Sequence, residues 1–254
     1  MIILLSPAKT LDFSSVTVQA ALTVPVFIEQ TRSIVTKMKR MHPDELMKLM
    51  DISPALAQLN ADRYRKWTGQ DVSLMKAAIL AFKGEVYTGL KADSFDDDDF
   101  VFAQRHLRIL SGLYGWLRPL DMIEAYRLEM GTRVKVGKNT DLYGFWRNKL
   151  TRQLQDEVNQ QTTKLVVNLA SNEYFSVLEG KSIKAEIVSP VFKDFSKGQY
   201  KIVSFFAKKA RGLMASYIIR NRITSHEDLL GFSEDGYHYN PSLSEPLKPV
   251  FTRG

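Results

Sequence analysis

Residues 105–132, RHLRILSGLYGWLRPLDMIEAYRLEMGT, gather arginines, carboxylates, two tyrosines and a tryptophan around three glycines. Such a segment is too apolar for a solvated surface and too charged for plain core. Leu107, Leu110, Leu113 and Leu117 recur at helical spacing, which predicts a helix with one buried face. Gly112 and Gly115, three apart on a neighbouring face, leave room for another backbone or a ligand to come close. Pro119 stops that helix, because its ring disfavours a preceding helical residue and it has no N–H to donate. Arg118, Asp121, Glu124, Arg127, Glu129 and Arg133 then fall on or near a turn and the element after it. Two environments fit these charges: a half-buried helix-loop-helix with compensating ion pairs, or the wall of a polar cleft. Spacing by itself favours the first.

Toward the amino end, Ser73 to about Leu90 reads as one helix with Met75, Ala78, Ile79 and Phe82 as its buried stripe. Lys83, Glu85 and Tyr87 surround Gly84 and Gly89 there, a second place where polar groups meet open backbone. Ser94 reads as an N-cap, and the carboxylates Asp96–Asp99 suit the positive end of a helix dipole. Consecutive acids on a helix fan outward, so they are assigned to capping and not to a metal. Before these lies PDELMKLMDISPALAQLNADRYRKW, two helices joined by a tight hairpin, with Pro43 and Pro54 at first helical positions and Ser53 as a cap. This hairpin is similar to the helix-hairpin-helix motif of DNA-repair proteins. Ile52 keeps the apolar place, while Asp51 and Ser53 stand where that motif carries glycines and Ala55 where it carries lysine. The helix terminus at Ser53 can still hold a phosphate. A further helix is expected over 27–39, and 11–30 before it as mostly extended chain broken by Pro25.

Ile2–Leu5 and Leu165–Leu169 are short apolar runs that read as buried strands. Each is followed by a polar exit: Ser6-Pro7-Ala8-Lys9-Thr10 after the first and Ala170-Ser171-Asn172-Glu173 after the second. Loops at the carboxyl ends of strands are where open α/β sheets hold ligands, so the two are paired as edges of one site, with Lys9, Asn168 and Glu173 as candidates. The glycines of a P-loop are missing from the first. Asp141–Gln160 is an amphipathic helix, and the strands flanking SKGQ, Ala185–Phe192 and Tyr200–Phe206, form an antiparallel hairpin. The helix AKKARGLMASYIIRNRI puts Lys208 and Arg211 one turn apart, opposite Leu213, Met214, Tyr217 and Ile218. No acid occurs between Asp194 and Glu227, and this bias points to polyanion binding. No aromatic-rich recognition element stands out. The tail after His226 is expected to add a strand over the core.

The chain has 254 residues, a net charge of +7 and an isoelectric point near 9.4. A basic balance favours polyanionic partners. With no cysteine, disulfides, a thiolate nucleophile and cysteine-held zinc or iron–sulfur clusters are excluded. His42, His106, His226 and His238 have no paired ligand spacing, so neither a metal site nor a cofactor is expected. No apolar run reaches bilayer-spanning length, and the chain opens directly on a strand, which predicts a cytoplasmic protein without membrane partners. With no linker, repeat or low-complexity segment, residues 1–254 parse as one domain.

ILLSPAKTLDF, AFKGEVYTGL, HLRILSGLYGWLRPLDMIEAYRLEMGT, NLASNEYF and FFAKKARGLMASYIIRNRI, in that order, resemble the YaaA family of bacterial peroxide-stress proteins across nearly the whole chain. The resemblance implies a single-domain mixed α/β (α+β) fold of its own type, with a central mixed β-sheet, surrounding helices, a helix-hairpin-helix-like element and a positively charged cleft. It also implies protection against hydrogen peroxide, lower free intracellular iron and protection of DNA. No catalytic residue is carried over. The residues themselves support two expectations. In the first, Lys9, Lys83, Arg118, Arg127, Asn168, Lys208 and Arg211 hold phosphates of double-stranded or structured DNA without reading sequence, with the Ser53 helix end as a second contact. In the second, the cleft is an enzyme site for a nucleotide or nucleobase, with Glu129 or Glu173 as acid or base.

Overall fold

The computed structural model describes residues 1–14 and 21–254. The chain opens with β1 (Ile2–Leu5) and β2 (Thr10–Leu11), then α1 (Ile28–Met38) and the helical hairpin α2 (Pro43–Met50) and α3 (Pro54–Lys66). Short elements follow closely: β3 (Met75–Ala77), α4 (Ala78–Ala81), β4 (Phe82–Lys83) and α5 (Glu85–Leu90). Next come α6 (Asp97–His106), β5 (Leu107–Ser111), β6 (Gly115–Leu117), β7 (Met122–Glu124) and the long α7 (Leu142–Gln160). The remainder is β8 (Leu165–Asn168), α8 (Asn172–Phe175), β9 (Glu186–Val188), the hairpin β10 (Val191–Ser196) and β11 (Gln199–Lys201), α9 (Ser204–Arg220), α10 (His226–Leu229), β12 (His238–Tyr239) and β13 (Val250–Arg253). This is the expected mixed α/β class.

The main sheet has the order β6-β5-β1-β8-β9. Strand β1 runs parallel to both β5 and β8, and its four side chains are completely buried. Fully burying an Ile or Leu contributes about 1.5–3 kcal/mol, so β1 anchors the sheet. A second sheet, β11-β10-β13-β12, lies along the carboxyl-terminal part of the chain. It contains the expected tail strand, with β13 parallel to β10.

The helix expected over Leu107–Leu117 is an antiparallel strand pair instead. All five residues of β5 are buried, and helical spacing would have turned some of them to solvent. Gly115 takes φ +69 at the end of the short connection, and the Trp146 ring lies where a Gly115 Cβ would be, 2.6 Å away. The charges of the same segment are paired inside. Glu157 accepts from Arg108 Nε (2.6 Å), Trp116 Nε1 (2.8 Å) and Gln153 Nε2 (2.9 Å). Arg118 donates to the fully buried Asp121 and to the Val24 carbonyl (2.9 Å). Similarly, the expected single helix over Ser73–Leu90 is split into β3, α4, β4 and α5. Met75–Ala77 pairs with β7, and Phe82–Lys83 pairs with β2, because those backbones offer ladder partners that a lone helix would forgo. The extended stretch expected over 11–30 partly falls on residues 15–20, outside the described residues; beyond them Thr23 bridges to Asp121 and α1 begins at Ile28. The expected hairpin around SKGQ is narrower, since Phe205 and Phe206 already belong to α9 and Glu186–Val188 joins the main sheet.

Helices α5 and α9 meet through glycines. A Cβ on Gly89 would lie 2.1 Å from the Lys209 carbonyl oxygen, and one on Gly212 would lie 1.8 Å from the Val86 carbonyl oxygen. Backbone therefore packs on backbone, and the height of α9 over α5 is fixed by the missing side chains. Gly212→Ala is expected to destabilise the protein by about 1–3 kcal/mol or more through overpacking, read as a lower denaturant midpoint at unchanged slope. Glu157→Ala leaves Arg108 buried and unpaired, and its expected cost is about 3–5 kcal/mol in the same measurement.

Candidate functional site

Strands β1 and β8 are neighbours whose outgoing connections head to opposite sides of the sheet, since β5 lies beyond β1 and β9 beyond β8. Ligand crevices in open α/β sheets form outside the carboxyl ends of strands at such a switch point. A concave cavity of about 410 Å³ lies here, lined by Ser6–Thr10 after β1 and by Leu169, Ser171, Glu173 and Tyr174 after β8. The two exits are tied together: the Ser171 N–H donates to Ser6 Oγ (2.8 Å), and the Leu169 N–H donates to the Leu4 carbonyl (2.9 Å). Tyr87 Oη donates to the Ser6 carbonyl (3.0 Å) and holds the first exit in place from α5.

The other walls come from three places. β2 and β4 pair Thr10 with Lys83, which brings Lys83, Gly84 and Glu85 to one rim. The segment after β7 supplies Tyr126, Arg127, Leu128 and Glu129. α9, seated on α5 by the glycine contact, presents Lys208 and Arg211 over the opening.

The ionisable groups differ in how they are partnered. Lys9 pairs with Glu129 (2.9 Å), and Arg127 Nη2 donates to the same carboxylate (3.2 Å). Arg127 Nε is buried without a hydrogen-bond partner. Lys83 pairs with Asp12 (3.1 Å); Ser14 Oγ and N donate to that carboxylate and, with Lys83, hold Asp12 well below the usual carboxylate range. Glu173 Oε1 accepts from the Gly131 N–H (3.0 Å), and the Glu173 carbonyl accepts from Tyr143 Oη (2.9 Å). Among the described residues, Lys208 and Arg211 have no carboxylate partner, and burial pushes the Arg211 guanidinium below its ordinary value. Burial also pushes the Tyr87 and Tyr174 phenols well above theirs, so both stay neutral and serve as wall. Among the described residues, no three His, Cys, Asp or Glu side chains group in a way that could hold a metal ion.

Of the candidates from the sequence, Lys9, Lys83, Arg127, Lys208, Arg211, Glu129 and Glu173 all line this one cavity. The structure does not bring Arg118, Asn168 or Ser53 to it. Arg118 is turned to Asp121, as described above. Asn168 accepts from the Ala170 N–H (3.1 Å) and donates to Ser189 Oγ (3.2 Å), so it shapes the exit of β8 from behind. Ser53 caps α3, accepting from the Leu56 N–H (3.4 Å). Eleven residues further along that helix, Tyr64 Oη donates to the Arg127 carbonyl (2.6 Å), so Ser53 lies about 16 Å from that contact along the helix axis. Tyr126 and Tyr174 were missed as walls; in the sequence they look like ordinary core aromatics, and only their position beside Arg127 and Glu173 could mark them.

No helix among the described residues is long and apolar enough to cross a membrane. A family model described as peroxide stress protein YaaA matches residues 1–243. A UPF0246 protein of Saccharophagus degradans is 48% identical over 257 residues, covering 100% of this chain and 99% of the relative. UPF0246 proteins of Cellvibrio japonicus and Shewanella amazonensis are 47% and 46% identical, covering 100% of this chain and 98% and 99% of theirs. With the family model matching residues 1–243 and near-half identity to relatives from end to end, the chain belongs to the YaaA family of peroxide stress proteins.

Proposed function

We propose that this cavity binds phosphate groups and that the protein acts in peroxide stress by holding DNA through its backbone, without reading base sequence. The observation that carries this reading is the pair Lys208 and Arg211. Both overhang the cavity without a carboxylate partner, and a half-buried unpaired guanidinium is costly until an anion reaches it. The five cations around the cavity outnumber its three carboxylates, Glu85, Glu129 and Glu173. The two free α9 cations supply the first contacts, and the Lys9–Glu129 and Lys83–Asp12 pairs can exchange their carboxylates for phosphate oxygens. The Ser53 end of α3 offers a second contact, against the nearby charge of Asp51. The link to lower free intracellular iron and to a cytoplasmic site of action belongs to the same proposal.

A second reading, an enzyme acting on a nucleotide or nucleobase, is supported by Glu129 and Glu173 facing a cavity within the size range of small-ligand sites.

Binding of labelled duplex DNA is expected to weaken steeply with salt. The Lys208→Glu, Arg211→Glu double variant should lose on the order of tenfold or more in affinity and flatten the log–log salt slope by about 2, whereas Arg118→Ala should leave binding unchanged. A flat salt dependence in the unaltered protein rejects the DNA reading. Ala55→Lys should tighten binding if the helical hairpin touches DNA, and cellular iron measured under peroxide with the double variant tests whether that effect runs through the cavity. For the enzyme reading, nucleoside monophosphates should raise the melting temperature, and Glu173→Gln, which keeps an acceptor for Gly131, should reduce turnover by roughly 10²–10⁴-fold. Peroxide survival untouched by Glu173→Gln would remove Glu173 from any such role.

A further inference from the structure

The β10–β11 hairpin closes through Lys197 at φ +53 and Gly198 at φ +79, two positive values that make the tight turn favoured between antiparallel strands. Its outer face is aromatic. Phe195 and Tyr200 are directly opposed across the strands with ring centroids 5.2 Å apart, and they are 52% and 36% exposed. Two residues after β11 the chain enters α9, whose first turn presents Phe205, 58% exposed, beside Phe206 at 5.6 Å. The two pairs lie on different faces at the end of β13: the Arg253 side chain, on the Asp194 face of the sheet, stacks on Phe206 at 4.6 Å, while Gly254 lies against Phe195 on the other face. Cations surround this surface. Lys193, two residues before Phe195 on the same face, and Lys197 in the turn have no carboxylate partner among the described residues, whereas Lys201 stands opposite Asp194 on the other face. The nearby acids are already engaged, Asp194 by Arg253 and Tyr237 and Asp235 by Lys209 and Arg253.

Exposed aromatics cost free energy in water, and a contiguous set marks a contact surface. Rings interleaved with unpaired lysines suit one ligand chemistry in particular, flat apolar bases strung on a phosphate backbone. Fully paired DNA hides its base faces, so such rings gain nothing from it. The chain runs from this hairpin into α9 after two residues, and α9 carries Lys208 and Arg211 to the cavity.

We propose that the outer face of the β10–β11 hairpin, with the Phe195–Tyr200 pair and Lys193 and Lys197, is a stacking surface for the unpaired bases of single-stranded or gapped DNA. It rests on the DNA reading of the cavity and adds which part of the DNA the protein grips beyond the phosphates. Fluorescence anisotropy with a short duplex bearing an oligo(dT) tail, beside the same duplex blunt-ended, tests it on the full chain. The double variant Phe195→Ala, Tyr200→Ala removes the two exposed rings without emptying the core, and circular dichroism confirms folding. The expected result is tighter binding of the tailed duplex by the unaltered protein, and a loss on the order of tenfold for the tailed but not the blunt duplex in the variant. Equal affinity of the variant and unaltered protein for the tailed duplex overturns the stacking surface while salt-steep blunt binding keeps the cavity reading. Absence of binding to either DNA overturns both. Anionic vesicles pulled down by the unaltered protein and not by the variant, with tailed-duplex binding unaffected, would assign the surface to a membrane and also overturn the proposal.

Discussion

Strand β1 is buried along its whole length and held on both edges by parallel partners, and the geometry of the cavity starts from that placement. A strand whose four side chains are all buried cannot slide without breaking two ladders and exposing Ile2–Leu5. Its carboxyl end is therefore a fixed point. The chain leaves that point at Ser6 beside the end of β8, and the Ser6–Ser171 contact seals the floor from which the cavity rises. Polar residues at those exits are tolerated because the backbone there is no longer in a ladder and its hydrogen bonds are completed by Ser6, Tyr87 and Asn168.

A second constraint sets the roof. Gly89 and Gly212 let α5 and α9 approach until backbone touches backbone, and this lowers Lys208 and Arg211 onto the opening. Three arginines away from the cavity are held by the fold: Arg108 by Glu157, Arg118 by Asp121, and Arg222 by Asp99 (2.6 Å). At the cavity itself Lys9, Lys83 and Arg127 pair with carboxylates, and among the described residues Lys208 and Arg211 do not. Burial of the Arg211 guanidinium without such a partner carries a desolvation cost. The β10–β11 hairpin, with Phe195 and Tyr200 exposed, precedes α9 by two residues.

Much of this was legible in the residues. The apolar runs of β1 and β8 with polar exits, the cap at Ser53, the long α7 and the basic α9 all follow from local patterns that survive in the structure, whereas the cap expected at Ser94 is Asp96, whose carboxylate accepts from the Asp99 N–H (2.7 Å). The leucine spacing of 107–117 misled because period and burial are different things. Leu107, Leu110, Leu113 and Leu117 suit a helix face, yet a strand between β1 and β6 buries every residue and needs no period at all. That Phe195 and Tyr200 stand exposed was likewise set by the fold, because burial depends on what packs over a strand and not on the residue type.

The sequence by itself determined the family, the mixed α/β class and the inventory of charged residues, because these depend on which side chains are present and on order along the chain. Which charges line the cavity was decided only by tertiary structure. Arg118 and Arg127 lie nine positions apart and look alike in sequence, but one is turned to a buried aspartate and the other lines the cavity. The physical reason is that pairing depends on distance in space, and those distances are set by sheet order and by the glycine contact between α5 and α9, neither of which is encoded in any local spacing.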